Sequence, residues 1–402
     1  MHNYLIKDLM NVNRGSSPRP IMEYLSDSGY RWLKISDFNL YDRYVYETKE
    51  FIKEAGLKNT RHLPAGTLIL TNSATPGIPI FLGKDMCLHD GFLYFTNINE
   101  NIININFLYY WFLYNRNLII NQANGSVFKN LKKDIVENFE IKVPDINIQL
   151  KIIKILDNIN SKIELNNEIN NNLFELLKSG FKSKFYNKKE KDLYLADFIS
   201  GTIGGDWGKD NPEGNNNTKV YCVRGADIPN MEYGNKGNAP IRYILEKNYK
   251  SKKLDPNNII IEISGGSPTQ STGRTAYITQ SILDMYDSPL LCTNFCRAIE
   301  TKNEILAPFV YMNLKLMYED NIFFNWENGT TGIKNLALND MLSNIEVKKP
   351  DEDDLKEYDL LFNSVMNKIS HNSNENIKLE QLRDTLLPKL INGEIELENI
   401  EI

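Results

Sequence analysis

The sequence predicts an α+β protein built from two pseudo-repeated domains, each followed by a long helix, with the two helices pairing as an antiparallel coiled coil. Three observations lead to this prediction. A motif recurs about half the chain apart, each copy leads into a long stretch with apolar residues at helical spacing, and the remaining stretches contain short β-branched and aromatic runs. A chain of 402 residues, 42% of them hydrophobic, is long enough to bury two or three domain cores.

The repeat is visible in two short motifs. Lys129-Asn130-Leu131 recurs as Lys334-Asn335-Leu336 with an offset of 205, and the segment from Phe139 to Asp145 recurs from Ile345 to Asp351 with an offset of 206. Lys188-Lys189-Glu190-Lys191 is expected to be an exposed link between the halves. The predicted order of domain, helix, domain and helix has the boundaries 1–143, 144–187, 188–349 and 350–402.

Each predicted helix begins after a Pro-Asp pair, where Asp145 and Asp351 are suitable N-caps. The helices are expected to pair through a heptad seam in which each position recurs 206 residues later. Its members are Ile152, Leu156, Ile159, Ile163, Asn166, Asn170 and Leu173, and then Tyr358, Phe362, Val365, Ile369, Asn372, Asn376 and Leu379.

The asparagines of this seam recur as asparagines. In an antiparallel pair Asn166 would face Asn376 and Asn170 would face Asn372, and such buried pairs fix the register of two helices at a cost in stability. The alternative is that the asparagines are solvated and that the seam shifts to Leu165 and Ile169.

Charge and composition exclude several classes of protein. The net charge is −6, but the tail 351–402 alone carries 5 Lys+Arg against 13 Asp+Glu, so the two large domains are nearly balanced and contact with nucleic acid is not forbidden. Four cysteines and four histidines are too few for a disulfide scaffold or a rich metal site, and the pair Cys292 and Cys296 reads as buried thiols rather than as a zinc site. Lys7 and Asp8 interrupt any signal peptide, and no membrane span is expected, so the protein is predicted to be cytoplasmic.

Catalytic motifs are not found. The sequence lacks the phosphate-binding, dinucleotide-binding and zinc-protease patterns, and Asn211-Pro212-Glu213 lacks the second proline and the aromatic residue of an amino-methyltransferase motif. Asp37 followed by Glu47-Thr48-Lys49 matches a metal-dependent nuclease only in spacing. We therefore expect no catalytic residues and no metal ligands, with nuclease chemistry as a weak alternative.

Loops that combine hydroxyl groups, glycine and arginine carry the expected function. Examples in the first half are Arg14-Gly15-Ser16-Ser17-Pro18-Arg19 and Thr71-Asn72-Ser73-Ala74-Thr75, and in the second half Val223-Arg224-Gly225-Ala226-Asp227 and the stretch 264–274. Such side chains bond phosphate oxygens and base edges, and glycine allows close backbone approach. Ordinary surface turns are the alternative for any one loop, but their recurrence in two copies favours DNA binding.

At this point the chain resembles the specificity subunit of type I restriction-modification systems. The resemblance rests on the repeat, on Gln149-Leu150-Lys151-Ile152 after Pro144-Asp145, on the segment from Leu382 to Ile395, on Ser264-Gly265-Gly266-Ser267 with Thr272-Gly273-Arg274, and on Asn294-Phe295-Cys296-Arg297. It implies a non-catalytic DNA reader in which each domain is a target recognition domain for one half of a bipartite target and the paired helices set the gap.

The resemblance also implies partners and cofactors. Besides double-stranded DNA, the partners would be two adenine methyltransferase subunits that use S-adenosylmethionine and two endonuclease/translocase subunits that use ATP and magnesium, with no cofactor in this chain. A specificity subunit of a type II system and a coiled-coil scaffold binding protein or glycan are the alternatives.

The residues that we expect to contact DNA come from both domains. In the first they are Arg14, Ser16, Arg19, Lys34, Asn72, Ser73 and Thr75, and in the second Trp207, Lys209, Arg224, Ser267, Thr269, Gln270, Arg274, Thr330 and Lys334.

Overall fold

The computed structural model describes residues 1–38, 43–122, 130–186, 193–267, 269–329 and 333–398. The chain forms two compact units. The first consists of residues 1–161 together with the chain from residue 379 onward, and the second of residues 162–378. Each unit therefore contains one of the two repeated domains and a part of each long helix.

The first unit is rich in short strands. They are β1 His2–Leu5, β2 Asn11–Arg14, β3 Leu25–Ser26, β4 Tyr30–Leu33, β5 Tyr44–Val45, β6 Glu50–Ile52, β7 Arg61–Leu63, β8 Leu68–Thr71, β9 Pro79–Leu82, β10 Met86–Leu88, β11 Phe92–Thr96 and β12 Glu140–Val143. Its helices are α1 Ile6–Leu9, α2 Ile105–Tyr114, α3 Arg116–Gln122, α4 Lys133–Glu137 and the first part of α5 Ile146–Phe181.

Two five-stranded sheets organise this unit, in the orders β3-β6-β4-β10-β7 and β2-β11-β8-β9-β5. Their described pairings are antiparallel except β4 with β10 and β5 with β9, as expected for a mostly antiparallel sheet. The β8 strand is an unbroken buried run because it lies between two neighbours in the sheet and packs on both faces. β1 pairs with β12 and so closes the domain immediately before α5.

The second unit repeats this arrangement with different lengths. Its strands are β13 Leu193–Tyr194, β14 Ile199–Gly204, β15 Asn216–Val223, β16 Ile241–Leu245, β17 Ile259–Glu262, β18 Ser264–Gly265, β19 Thr275–Tyr277, β20 Leu290–Cys292, β21 Cys296–Thr301, β22 Glu327–Asn328, β23 Lys334–Leu336 and β24 Glu346–Val347. Its helices are the remainder of α5, α6 Ile228–Glu232, α7 Glu246–Lys252, α8 Gln280–Asp284, α9 Leu306–Glu319, α10 Leu338–Asn344 and most of α11 Glu352–Ile391.

The sheets of the second unit have the orders β14-β21-β17-β19, β16-β15-β20 and β18-β23-β22, and β13 pairs with β24 just as β1 pairs with β12. The only parallel pairing among its described strands is β15 with β20, the counterpart of β4 with β10. Cys292 and Cys296 end and begin adjacent strands and are fully buried free thiols, as predicted.

The long helices begin and end close to the predicted boundaries. The first predicted helix segment, 144–187, contains α5 and a π-helical turn at Lys182–Tyr186. Asp351 caps α11, because its Oδ1 accepts the amide of Asp353 at 2.9 Å. At the start of α5 the backbone carbonyl of Asp145 accepts the amides of Ile148 and Gln149. The predicted link Lys188-Lys189-Glu190-Lys191 lies outside the described residues.

The predicted asparagine pairs are present within the second unit. Asn166 Nδ2 donates to Asn376 Oδ1, and Asn372 Nδ2 donates to Asn170 Oδ1, both at 2.8 Å. All four side chains are buried, and their order along the two helices is antiparallel. The alternative seam is wrong, because Leu165 is half exposed whereas Asn166 is buried.

Eleven of the fourteen predicted seam residues are buried, and Ile163, Leu173 and Leu379 are half-buried. The seam does not account for Phe174, Leu177 and Phe181, which are fully buried and pack with the recognition-domain residues of the second unit. Likewise Ile152, Ile153 and Leu156 join the apolar core of the first unit, together with Leu390 and Ile391. Each long helix is therefore part of a domain core as well as part of a helix pair.

No helix within the described ranges is both long and apolar enough to cross a membrane.

Candidate nucleic-acid interface

In the first unit the candidate residues gather around one turn, His89-Asp90-Gly91, which we call the first turn. Main-chain hydrogen bonds hold it from three sides. The His89 amide donates to Leu33 O at 3.2 Å, the Gly15 amide to Phe92 O at 2.9 Å, and the Asn72 amide to Gly91 O at 2.9 Å. A Cβ atom at Gly15 would lie 2.1 Å from His89 O, so only glycine allows this close approach.

Side chains predicted to contact DNA converge on Asp90. Arg14 Nε donates to the carbonyl of Asp90 at 2.9 Å, and Asn72 Nδ2 donates to the same oxygen at 3.2 Å. Arg19 lies 3.9 Å from the Asp90 carboxylate and is largely exposed. Ser17 Oγ donates to Asp90 Oδ1. The sequence analysis did not single out Asp90, although it organises this cluster.

The cations of this cluster contribute to a lowered pKa of His89. Burial lowers the pKa of His89, and the positive charges of Lys34, Arg14 and Arg19 lower it further against the opposing charge of Asp90. Lys34 also forms an ion pair with Glu50. The first turn therefore brings together three cations, Arg14, Arg19 and Lys34, with the carboxylates of Asp90 and Glu50, and cations of this kind bind phosphate.

The other predicted residues of the first domain have different surroundings. Ser73 lies beside the turn, since a Cβ atom at Gly91 would be 3.1 Å from its Oγ. Ser16 Oγ donates to Asn59 O, and the carbonyl of Thr75 accepts the hydroxyl of Thr71. Asn72 is buried, so its role in this structure is to hold the turn rather than to face solvent.

The second unit has the same frame around Thr293-Asn294-Phe295, which we call the second turn. The Thr293 amide donates to Val223 O at 2.9 Å, and the Ile263 amide donates to Phe295 O at 2.8 Å. Gly205 stands where Gly15 stands in the first unit, because its Cβ atom would lie 1.9 Å from Thr293 O. These correspondences make Lys34 and Arg224 equivalent, since each follows the strand that is parallel to the strand entering the turn.

The two equivalent cations begin identical local turns. The Lys34 amide donates to Asp37 Oδ2 at 2.8 Å, and the Arg224 amide donates to Asp227 Oδ2 at 2.9 Å. Asp37 therefore accepts a main-chain amide within its own turn. Glu47, the other carboxylate of that weak match, pairs with Arg31 and Lys84.

Three cations that were predicted to contact DNA in the second unit form ion pairs with buried carboxylates. The side-chain exposures are 42% for Arg224 over 2% for Asp227, 26% for Arg274 over 4% for Glu262, and 25% for Lys334 over 5% for Glu327. In each pair the acid is buried and the cation reaches the surface. Burial alone would raise the pKa of Glu327, but hydrogen bonds from Lys334 and from the Thr272 amide lower it.

Both arginines meet their carboxylates in the same way. Arg224 uses Nε at 3.0 Å and Nη2 at 3.1 Å, and Arg274 uses Nε at 2.9 Å and Nη2 at 2.6 Å. The carboxylates therefore bind one side of each guanidinium and leave its Nη1 end for another acceptor. Gly225 and Gly265 both approach Glu262, where a Cβ atom would lie 2.3 and 2.5 Å from Oε1.

The remaining predicted residues of the second domain form a loop and a neighbouring strand edge. Ser267 Oγ accepts the amides of Thr269 and Gln270, and Gln270 Nε2 donates to Tyr318 OH at 3.1 Å. Trp207 carries Arg242 over its ring at 4.2 Å. Lys209 lies 3.4 Å from Glu213. Thr330 lies outside the described residues, as do Pro268 and Asn124-Gly125-Ser126.

Sequence reasoning missed Asp90, Glu262 and Phe295. One signal was available for Glu262, because an acidic residue ends the buried run Ile259-Ile260-Ile261. A buried carboxylate at that position requires a cation, and the sequence offers Arg274 in the following loop.

Comparison with known proteins finds similarity to one class of DNA-binding protein. A family model described as type I restriction modification DNA specificity domain matches residues 1–175. The chain is 24% identical to the type I restriction enzyme MjaIX specificity subunit of Methanocaldococcus jannaschii, over 98% of this chain and 93% of the relative. It is 22% identical to the HindI specificity subunit of Haemophilus influenzae, over 89% and 96% respectively. Residues 1–175 thus match the type I specificity domain, and nearly the whole chain is similar to type I specificity subunits.

The fold agrees with this assignment. A crystal structure of the S subunit of a type I restriction-modification system from M. genitalium has a TM-score of 0.51 at 15% sequence identity, and the match covers 97% of this chain and 95% of that one. The family match spans the first repeated domain and most of α5, which is one copy of the internal repeat.

Proposed function

We propose that this chain is a type I specificity subunit, a non-catalytic DNA reader in which each recognition domain reads one half of a bipartite target. The observation that carries the proposal is the pair of equivalent turns, because one main-chain frame presents different side chains in the two domains. A shared frame would dock on the duplex in the same way, while different side chains would select different bases.

The buttressed arginines suit base reading. A guanidinium held on one side by a buried carboxylate has already lost its rotamer freedom, so less entropy is lost when its other end meets guanine. Arg224 and Arg274 have this geometry. Lys34 carries a compact point charge, and Arg19 is largely exposed and lies 3.9 Å from Asp90. Both are therefore better suited to phosphate.

The paired helices are proposed to set the gap between the half-sites. An α-helix of 36 residues such as α5 spans about 54 Å, which is between one and two turns of duplex at about 34–36 Å each. Because the buried asparagine pairs fix the helix register, they also fix the length of this spacer.

The catalytic steps are proposed to belong to partner subunits. Two adenine methyltransferase subunits would bring S-adenosylmethionine, and two endonuclease/translocase subunits would bring ATP and magnesium. Exposed leucines on the long helices support docking of the methyltransferase there, and they include Leu165 and Leu176 on α5 and Leu360 and Leu382 on α11. Off-seam Ile153, Ile155 and Leu387 instead pack in the core of the first unit.

The deciding experiment is methylation sequencing of DNA incubated with this chain and its adenine methyltransferase subunits. Adenine methylation confined to one split motif with a fixed gap is the expected result. Methylation that is unchanged when this chain is omitted would contradict the proposal and favour a scaffold role. Dependence on a single fused nuclease-methyltransferase partner would assign the chain to a type II system.

A further inference from the structure

Phe295 is an exposed aromatic side chain at the tip of a rigid turn. Its side chain is 55% exposed, although most large apolar residues around it are buried. The turn is held by main-chain bonds, because Phe295 O accepts the amides of Ile263 and Ser264 and the Cys296 amide donates to Thr293 O. The ring is therefore presented from a fixed backbone rather than from a loose loop.

The surroundings of the ring are polar and cationic. The Thr293 amide bonds the carbonyl of Val223, which directly precedes Arg224, and β21 continues the turn through Arg297. On the other side the strand that carries Glu262 pairs with Cys296 and holds Arg274. The apolar ring of Phe295 thus lies on a turn whose neighbouring strands lead to Arg224 and Arg274, each paired with a buried carboxylate.

Duplex DNA has the chemistry that matches both features. Its phosphates satisfy the cations, and its bases offer apolar partners in the thymine methyl group and in the faces of a partly opened base step. Acidic peptide or lipid headgroups would satisfy the cations, but the flanking Ser264, Asn294 and paired arginines are the donors and acceptors used against base edges.

We propose that Phe295 is an apolar base contact of the second recognition domain. This inference rests on the proposed function and adds a specificity-determining residue to it. The first domain cannot make the same contact, because the equivalent position is Gly91, whose carbonyl accepts the Asn72 amide as the carbonyl of Phe295 accepts that of Ile263. The half-site read by the second domain should therefore depend on an aromatic side chain that the other half-site does not use.

The test uses the full chain assembled with its methyltransferase subunits. Duplexes that bind the wild-type complex are selected from a randomised pool and sequenced, and affinities are then measured for a selected duplex and for a shuffled one. Phe295→Ala should bind the selected duplex about tenfold more weakly and the shuffled duplex unchanged, because a base contact is lost and no phosphate contact is. Selection with Phe295→Ala should relax one position of one half-site only.

Two control variants accompany this test. Phe295→Leu keeps an apolar side chain and should retain most of the affinity, and Leu118→Ala removes an exposed apolar side chain from α3 and should change neither affinity. Replacing thymine by uracil at the relaxed position shows whether a methyl group is the contact. If the wild-type complex loses affinity for the uracil-substituted duplex and the Phe295→Ala complex does not, the contact is with the methyl group. If the wild-type complex loses no affinity, the contact is with the face of the base.

The inference is overturned if Phe295→Ala binds the selected duplex as tightly as wild type, or loses the same factor on both duplexes. If Phe295→Ala lowers the affinity for neither duplex, and the wild-type chain instead binds a peptide or a vesicle through this surface, the surface is assigned to that partner. Failure of the proposed function is a different result, in which the wild-type complex itself selects no motif.

Discussion

The first and second turns occupy the same place in their domains but differ in where the acid lies. In the first domain the carboxylate of Asp90 is in the turn itself, where it pairs with Arg19 and accepts a hydrogen bond from Ser17. In the second domain the carboxylates lie beneath the surface on neighbouring strands and loops, where Asp227 and Glu262 each hold one arginine. The two domains therefore share a backbone frame, and the positions of the acids determine which cations are paired.

A second difference lies one strand away. Thr71 ends β8 and its hydroxyl bonds Thr75 O at 2.6 Å and the Ile78 amide at 2.9 Å, whereas Glu262 ends the equivalent β17 and binds Arg274. The same strand end is thus closed by a neutral hydroxyl in one domain and by a buried ion pair in the other. The following predictions test whether these differences have the consequences described.

The largest effect is expected from Glu262→Ala. Removing the buried carboxylate leaves Arg274 without its partner, which should cost about 3 kcal/mol of unfolding free energy. Thr71→Ala at the equivalent position breaks only neutral hydrogen bonds and should cost about 1 kcal/mol. Urea unfolding of the full chain measures both. If the two variants lose the same unfolding free energy, the buried ion pair and the neutral hydroxyl do not differ in their contribution to stability.

The asparagine pairs should give the next largest effect. Asn372→Ala leaves the buried Asn170 Oδ1 without its donor and should cost about 2 kcal/mol. Replacing all four asparagines by leucine should restore stability but lose the register, so a shift of one heptad, about 10 Å or three base pairs, becomes possible.

Methylation sequencing reads this result directly. We expect the four-leucine variant to methylate motifs with more than one gap length, while Glu168→Ala, at an exposed position of α5, keeps the single gap. A single gap in both variants would show that the asparagines do not determine spacing.

A smaller effect separates the two equivalent cations. Arg224→Ala should cost about 1.5 kcal/mol of binding at one base pair of one half-site, because its guanidinium is fixed for base contact. Lys34→Ala should weaken binding to all sequences alike and reduce the salt dependence. Lys219→Ala, on the strand β15 that directly precedes Arg224 but paired with Asp287, is the control. The assignment is contradicted if Arg224→Ala weakens all duplexes equally.

The smallest effect is a pH dependence confined to the first turn. The folded protein lowers the pKa of His89 below its usual value near 6.5, so the unfolded chain binds the proton more readily. Stability from this group is present above pH 6.5 and falls as the pH drops below it. His89→Asn should remove this part of the acid sensitivity, whereas Thr293→Ser at the equivalent position should not alter it, as thermal unfolding from pH 7.5 to 5.5 would show.

Periodic features were predictable from the sequence. The long helices, their buried asparagines and the strand at Ile259–Glu262 follow from spacing that a single segment contains. The turns could not be predicted as sites, because the second turn is assembled from strands far apart in the chain, with Val223 and Ile263 meeting it from two directions. Residues such as Asn72 were chosen for their chemistry, and the fold buries them.

Length differences between the two copies are concentrated in one region. Lys34 and Arg224 differ by 190 in residue number, and Leu70 and Ile261 by 191, but Leu88 and Cys292 differ by 204. Most of the extra residues of the second copy therefore lie between the end of β17 and the start of β20. Five are in the loop that carries Arg274, before β19, and eight are between β19 and β20, around α8. A lineage could lengthen the Arg274 loop while β17 and β19 kept their pairing, and so acquire a new target without refolding the domain.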